Sequence, residues 1–163
     1  MPIEIVEGDI ADQPDLDAVV NAANAQLMPG GGVAGALHRA AGPQLAEACR
    51  PLAPIEPGQA VVTEGFALPN AWVIHALGPR YGIDNPSDEL LAAAYRNILK
   101  AAANNGIRSI GCPALSAGAF GYPLEEAARI AVETVQQHAP AELVFRFVLF
   151  DGKTKDVFSR LVE

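Results

Sequence analysis

Two glycine-rich turns stand where backbone chemistry could hold an anion: Gly30-Gly31-Gly32 and Ser116-Ala117-Gly118-Ala119-Phe120-Gly121. Each follows a short apolar run and leads into a helix-like segment. Glycine lets a main chain approach a ligand closely, and the free N–H groups at a helix N-terminus attract negative charge without help from lysine or arginine. The pair therefore predicts a cradle for a diphosphate. Polar side chains that could join it are Asp9, Asn21 and Asn24 in the loops after strands and His38 in the helix after the first turn.

These turns need strands before them and helices after them. Ile3 to Val6 and Ala18 to Val20 read as strands, the second running into Asn21-Ala22-Ala23-Asn24. After the first glycine turn, Val33, Ala36, Leu37, Ala40 and Ala41 recur at the spacing of one buried helix face, which Gly42-Pro43 interrupts. Ala60 to Thr63 and Ala71 to Ala76 are predicted to form a hairpin through Leu68-Pro69-Asn70. Ser87 reads as the N-cap of a helix carrying Leu91, Ala94, Tyr95, Ile98 and Ala102 to a stop at Asn105-Gly106. Ser109 to Leu115 reads as the strand entering the second glycine turn. Pro123 then opens a helix with Ala127, Ile130, Ala131, Thr134 and Val135 inward, closed by Pro140. Leu143 to Phe150 suits a strand covered on both faces, and Lys155 to Val162 a terminal helix. This alternation predicts one three-layer α/β/α domain around a mixed, largely parallel sheet, with ligands beyond the carboxyl ends of its strands.

Composition narrows the ligand. The chain has 163 residues, 50% of them apolar and 18% charged, which suits one domain with a substantial core. Its 11 Lys+Arg against 19 Asp+Glu leave a net charge of −8, with pI near 4.8. An extended nucleic-acid groove would need a basic stripe, so none is expected. Cys49 and Cys112 lack any CxxC or histidine spacing, so both read as buried thiols and no metal site is expected. No basic leader or apolar run of about 20 residues points to export or to a membrane. A soluble, cytoplasmic, monomeric protein is expected.

Taken in order, Gly8-Asp9-Ile10, Asp17 to Asn24, Gly30 to Gly42, Val73 to Pro79 and Ser116 to Pro123 resemble the macro domain family, and most closely its MacroD-type branch. The resemblance spans essentially the whole chain. It implies ADP-ribose, free or attached to a protein, as the partner, with no other cofactor. It also implies hydrolysis of acyl-linked ADP-ribose, from protein carboxylates or from O-acetyl-ADP-ribose. On this reading Asp9 and the backbone of Ile10 meet adenine, and Phe150 stacks on it. Gly30, Gly31, Gly32 and Val33 form one phosphate wall; Ser116, Ala117, Gly118, Ala119 and Phe120 form the other, with Phe120 against the distal sugar. Asn24 orients the proximal ribose and Asn21 braces its loop. Simpler readings stand beside these: Asp9 as a turn cap, Phe150 as core, and the asparagines as turn residues.

One position departs from the MacroD-type pattern. The residue after Gly30 to Val33 is there usually an aspartate thought to activate water; here it is Ala34, as in viral macro domains. A carboxylate base at that position is absent. Water held between a ligand phosphate and the C1″ carbon offers a substrate-assisted route, and His38, one turn beyond Ala34, is a candidate to support that water or a structural histidine. The rival readings are a non-catalytic ADP-ribose-binding module and an NAD-linked oxidoreductase; the second fits poorly because no GxGxxG follows the first strand. His75 reads as a core histidine, His138 as solvent-facing, and Tyr81 and Tyr122 as core or pocket wall.

Overall fold

The computed structural model describes residues 3–162. Six strands form one sheet in the order β1 (Ile3–Glu7), β6 (Val144–Leu149), β5 (Ser109–Cys112), β2 (Ala18–Ala22), β4 (Trp72–Ala76) and β3 (Ala60–Glu64). All neighbours pair in parallel except β3 and β4, which form the expected antiparallel hairpin. Helices α1 (Gly32–Ala41), α2 (Gln44–Cys49), α3 (Ser87–Asn104), α4 (Leu124–His138) and α5 (Gly152–Val162) flank it.

Strand periodicity divides the core between the two faces. Val20, Ile74, Ile110, Phe145 and Phe147 pack with Tyr95 and Ile98 of α3, Ala131 and Val135 of α4 and Phe158 of α5. Val19, Val73 and Val148 point the other way, onto Leu37 and Ala41 of α1 and Leu45 of α2. Successive side chains of a strand alternate between faces, so the two cores are built from the same strands. Helix α3 stops as expected: Gly106 adopts φ +66° and the Ile107 N–H returns to the Ala102 carbonyl at 2.9 Å.

Several local expectations are corrected. The inward face of α1 is Ala34, Leu37, His38 and Ala41, one position displaced from the stripe read in the sequence; Ala40 is exposed. Small alanines mark both sides of this helix, so apolar spacing alone did not distinguish core from cleft. After Gly42-Pro43 the chain does not simply stop but enters α2 and a 3-10 turn, Arg50–Leu52. Strand β5 ends at Cys112 because Pro113 has no N–H to offer a neighbour. Ser87 is not an N-cap: its hydroxyl donates to the Asp84 carbonyl at 2.6 Å and braces the preceding loop. Helix α5 starts earlier than expected, at Gly152, since Asp151 accepts the Thr154 N–H at 2.8 Å.

Beneath α1 lies a buried polar network centred on His75 of β4. The Thr63 hydroxyl donates to the Glu64 carbonyl at 3.0 Å, so its oxygen accepts from His75 Nε2–H at 2.9 Å. His75 Nδ1 is then bare and accepts from the Asn21 amide at 3.0 Å. Cys49 Sγ lies 3.7 Å from Nε2, and burial raises its thiol to about 11. Burial holds the His75 imidazole down at about 4, with neighbouring His38 adding to the effect; burial lowers His38 as well.

The consequence is a pH-dependent stability. Above pH 6.5 the ring is neutral whether folded or unfolded. As pH falls from 6.5 towards 4, the unfolded chain takes up a proton that the folded chain refuses, and stability declines by about 3 kcal/mol before levelling off. Denaturant titrations at about pH 7 and about pH 5 should show this decline. His75→Gln should flatten it; an equal slope in the variant would assign the decline to other groups.

Candidate binding cleft

Because β1, β6, β5, β2 and β4 run in parallel, their carboxyl ends meet at one edge of the sheet, and the segments leaving them enclose a cleft of about 1050 Å³. Gly8, Asp9 and Ile10 border it after β1, Phe150 and Asp151 after β6, Pro113 to Phe120 after β5, Ala22 and Ala23 after β2, and Gly78 after β4. Strands lie about 4.8 Å apart, so the cleft crosses roughly 20 Å of sheet edge. Strand order thereby separates its ends: Asp9 and Phe150 at the β1/β6 side, the loop after β2 at the other, the β5 loop between.

The first glycine turn packs tightly against its own helix. Gly31 is extended, Gly32 has φ +55°, and a Cβ on Gly35 would collide with the Gly30 carbonyl. The first intrahelical bond runs from Gly35 N–H to the Gly31 carbonyl, leaving the N–H groups of Gly31, Gly32, Val33 and Ala34 without an acceptor among the described residues. No acidic side chain occupies the first turn of α1. Gly31, Gly32, Val33 and Ala36 border the cleft.

The second turn is fixed by a side chain that faces its own scaffold. Ser116 has φ +65°, and its hydroxyl donates to the Pro79 carbonyl at 2.7 Å. That hydroxyl fills the space a side chain at Gly78 would need. The loop closes through Tyr122 N–H to the Ser116 carbonyl and Gly121 N–H to the Gly118 carbonyl, at 2.9 and 3.0 Å. From Ser116 to Phe120 no backbone N–H finds an acceptor among the described residues. Two runs of free donors thus border one cleft, an arrangement suited to phosphate oxygens. Lys153 is the one cationic side chain in the lining among the described residues.

At the β1/β6 end, Asp9 does cap its own turn, accepting the Ala11 N–H on Oδ1 at 2.9 Å, and still borders the cleft with Oδ2 free of donors among the described residues. Ile10 is buried beside it. Phe150 is 84% exposed, so it belongs to the cleft mouth and not to the core. Its ring presents a wide apolar face to an incoming ligand.

Four of the residues singled out from sequence lie outside the cleft lining: Asn21, Asn24, Gly30 and His38. Asn21 is buried in the His75 network, with Oδ1 unpartnered. His38 is buried on the inner face of α1, its Nε2 also without a partner. Asn24 folds its amide onto Met28, donating to its carbonyl at 2.9 Å and accepting its N–H at 3.0 Å; one N–H and one lone pair remain. Gly30 packs beside that amide. Tyr122 is buried and tilts against half-exposed Tyr81, ring centroids 4.7 Å apart. Gly78 and Lys153 carried no role in the sequence reading. With the terminal helix expected from Lys155, Lys153 lay outside it; only the observed start at Gly152 puts this lysine in a first turn, where it opposes the macrodipole.

No group of three or more His, Cys, Asp or Glu among the described residues could hold a metal, and no described helix is long and apolar enough to cross a membrane. The family model of the Macro domain matches residues 20–131. The chain is 45% identical to an O-acetyl-ADP-ribose deacetylase of Enterobacter cloacae subsp. cloacae, over 98% of this chain and 93% of that one. It is 46% identical to a macro domain-containing protein of Chlorobaculum tepidum, over 97% and 94%. Among solved structures, the Oceanobacillus iheyensis macrodomain with ADP superposes with a TM-score of 0.93 at 36% identity, covering 98% of this chain and 89% of that one. The Trypanosoma brucei macrodomain in complex with ADP-ribose does so with a TM-score of 0.89 at 36% identity, covering 99% and 69%. The parallel strand ends, the two glycine turns and these likenesses together make the chain a member of the macro domain family.

Proposed function

We propose that the cleft binds ADP-ribose and that the protein hydrolyses acyl-linked ADP-ribose, both O-acetyl-ADP-ribose and mono-ADP-ribosylated Asp or Glu of proteins. The observation carrying this reading is the pair of donor-rich turns, whose unpaired N–H groups suit a diphosphate in a chain of net charge −8. Relatives named as O-acetyl-ADP-ribose deacetylases support the reaction. Gly31, Gly32 and Val33 take one side of the diphosphate and Ser116 to Phe120 the other. Adenine lies between the Phe150 ring and Asp9, whose free carboxylate oxygen accepts the exocyclic amine, with Ile10 completing the contact. The proximal ribose then falls near the loop after β2, where Asn24 offers its remaining N–H and lone pair.

Hydrolysis here relies on placement. Ala34 supplies no base, and the carboxylates lining the cleft, Asp9 and Asp151, stand at the adenine end. For a carboxylate-linked substrate, water attacks C1″, the bond from C1″ to the acyl oxygen breaks, and the carboxylate departs. A ligand phosphate accepts the water's proton. Holding water, phosphate and sugar in one geometry lowers the barrier. His38, on the buried face of α1, acts through the position of that helix.

Incubation with O-acetyl-ADP-ribose and with glutamate-linked modified protein should release free ADP-ribose from both. Binding without release at high enzyme concentration would instead establish an ADP-ribose reader. Phe150→Ala should weaken ADP-ribose binding by roughly 5- to 150-fold, the range for loss of one base-stacking platform, as calorimetry would measure. Gly78→Ala should weaken it too, by pushing the Ser116 hydroxyl from its seat. Asn24→Ala should lower kcat more than it raises KM; equal losses would deny it an orienting role.

A further inference from the structure

Arg146, in the middle of β6, makes an unusually complete set of contacts for a side chain on a sheet. Only 15% exposed, it donates from Nε to Glu4 at 2.8 Å, from Nη1 and Nη2 to the two Asp15 oxygens at 2.9 and 2.7 Å, and from Nη1 to Gln13 Oε1 at 2.8 Å. A guanidinium can only donate, so it dictates which end of the Gln13 amide faces it. The Gln13 nitrogen is turned the other way and donates to the Asp9 carbonyl at 2.9 Å. Gln13 is itself buried, its amide lying against Gly8. Asp9 is then held at three points: its carbonyl by Gln13 and by the Asp12 N–H, its carboxylate by Ala11.

We propose that Arg146 and Gln13 are positioning residues for base recognition, a relay from the sheet that fixes Asp9 at the adenine end of the cleft. The proposal rests on the reading that Asp9 accepts the adenine amine. A carboxylate discriminates a donor from an acceptor on the base only while its own position is fixed, and a short loop anchored by Ile10 and Leu16 alone would let it swing. Gln13→Glu separates the two ends of the relay. Its carboxylate keeps the bond to Arg146 but has no N–H for the Asp9 carbonyl.

Calorimetry with ADP and with inosine 5′-diphosphate, which carries an oxygen where adenine has its amine, tests the relay on the full chain. Wild-type protein should prefer ADP. Asp9→Ala, Gln13→Glu and Arg146→Lys should each lower ADP affinity about tenfold, the scale of one lost buried hydrogen bond. Inosine diphosphate affinity should change much less, so the preference collapses. A general loosening of the fold would lower both affinities together and overturn the proposal. If Asp9→Ala abolishes the preference while Gln13→Glu and Arg146→Lys retain it, the relay is refuted and the role of Asp9 stands. If Asp9→Ala retains it, the role of Asp9 and the relay both fall. Melting curves identify any variant that does not fold, and Arg146→Lys decides the matter if Gln13→Glu is such a variant.

Discussion

A backbone N–H without a protein acceptor is costly wherever water is excluded, and this molecule keeps two runs of such donors beside one cleft, where solvent or a ligand reaches them. Much of the surrounding architecture serves to stop those groups from finding partners within the chain. Gly35 lets α1 press against the Gly30 carbonyl, which fixes the first turn in an open form. Ser116 spends its hydroxyl on Pro79, and the closing bonds of its loop begin only at Gly121 and Tyr122. Each glycine that matters here is a place where a side chain would displace a donor run.

The same economy explains how an acidic chain can present a site for an acidic ligand. Fixed amide dipoles and the N-terminus of α1 offer positive potential without mobile cations, and among the described lining residues Lys153 alone adds a positive charge, against the carboxylates of Asp9 and Asp151. Asp9 and the exposed Phe150 stand apart from the two donor runs, at the β1/β6 end of the cleft. The opposite end, by the loop after β2, offers the Asn24 amide, and the lining there holds no carboxylate among the described residues. Strand order enforces this separation, because β5 lies between β6 and β2.

Much of this was legible in the residues. Strongly periodic segments kept their predicted types, as in α4, whose Ala127, Ile130, Ala131, Thr134 and Val135 all face inward. Local signals failed where tertiary contacts competed with them. Ser87 had the chemistry of an N-cap but serves the loop before its helix, and the alanines of α1 fit two faces equally well. Asn21 and Asn24 look alike in sequence, yet one lies in the His75 network and the other caps its own loop at Met28. Phe150 reads as core by composition and is exposed because β6 ends one residue before it.

From the sequence alone follow the alternation of strands and helices, the positions of the two glycine turns and the absence of a base at Ala34. These depend on residue type and on separations of a few residues, over which backbone preferences act directly. Only the tertiary structure decided that His38 is buried outside the cleft lining, that Gly78 makes room for Ser116 and that Arg146 reaches Asp9 through Gln13. The long-range contacts among these, Ser116 with Pro79 and Arg146 with Gln13, join residues 37 and 133 positions apart, and their existence depends on strand order, which no local preference encodes.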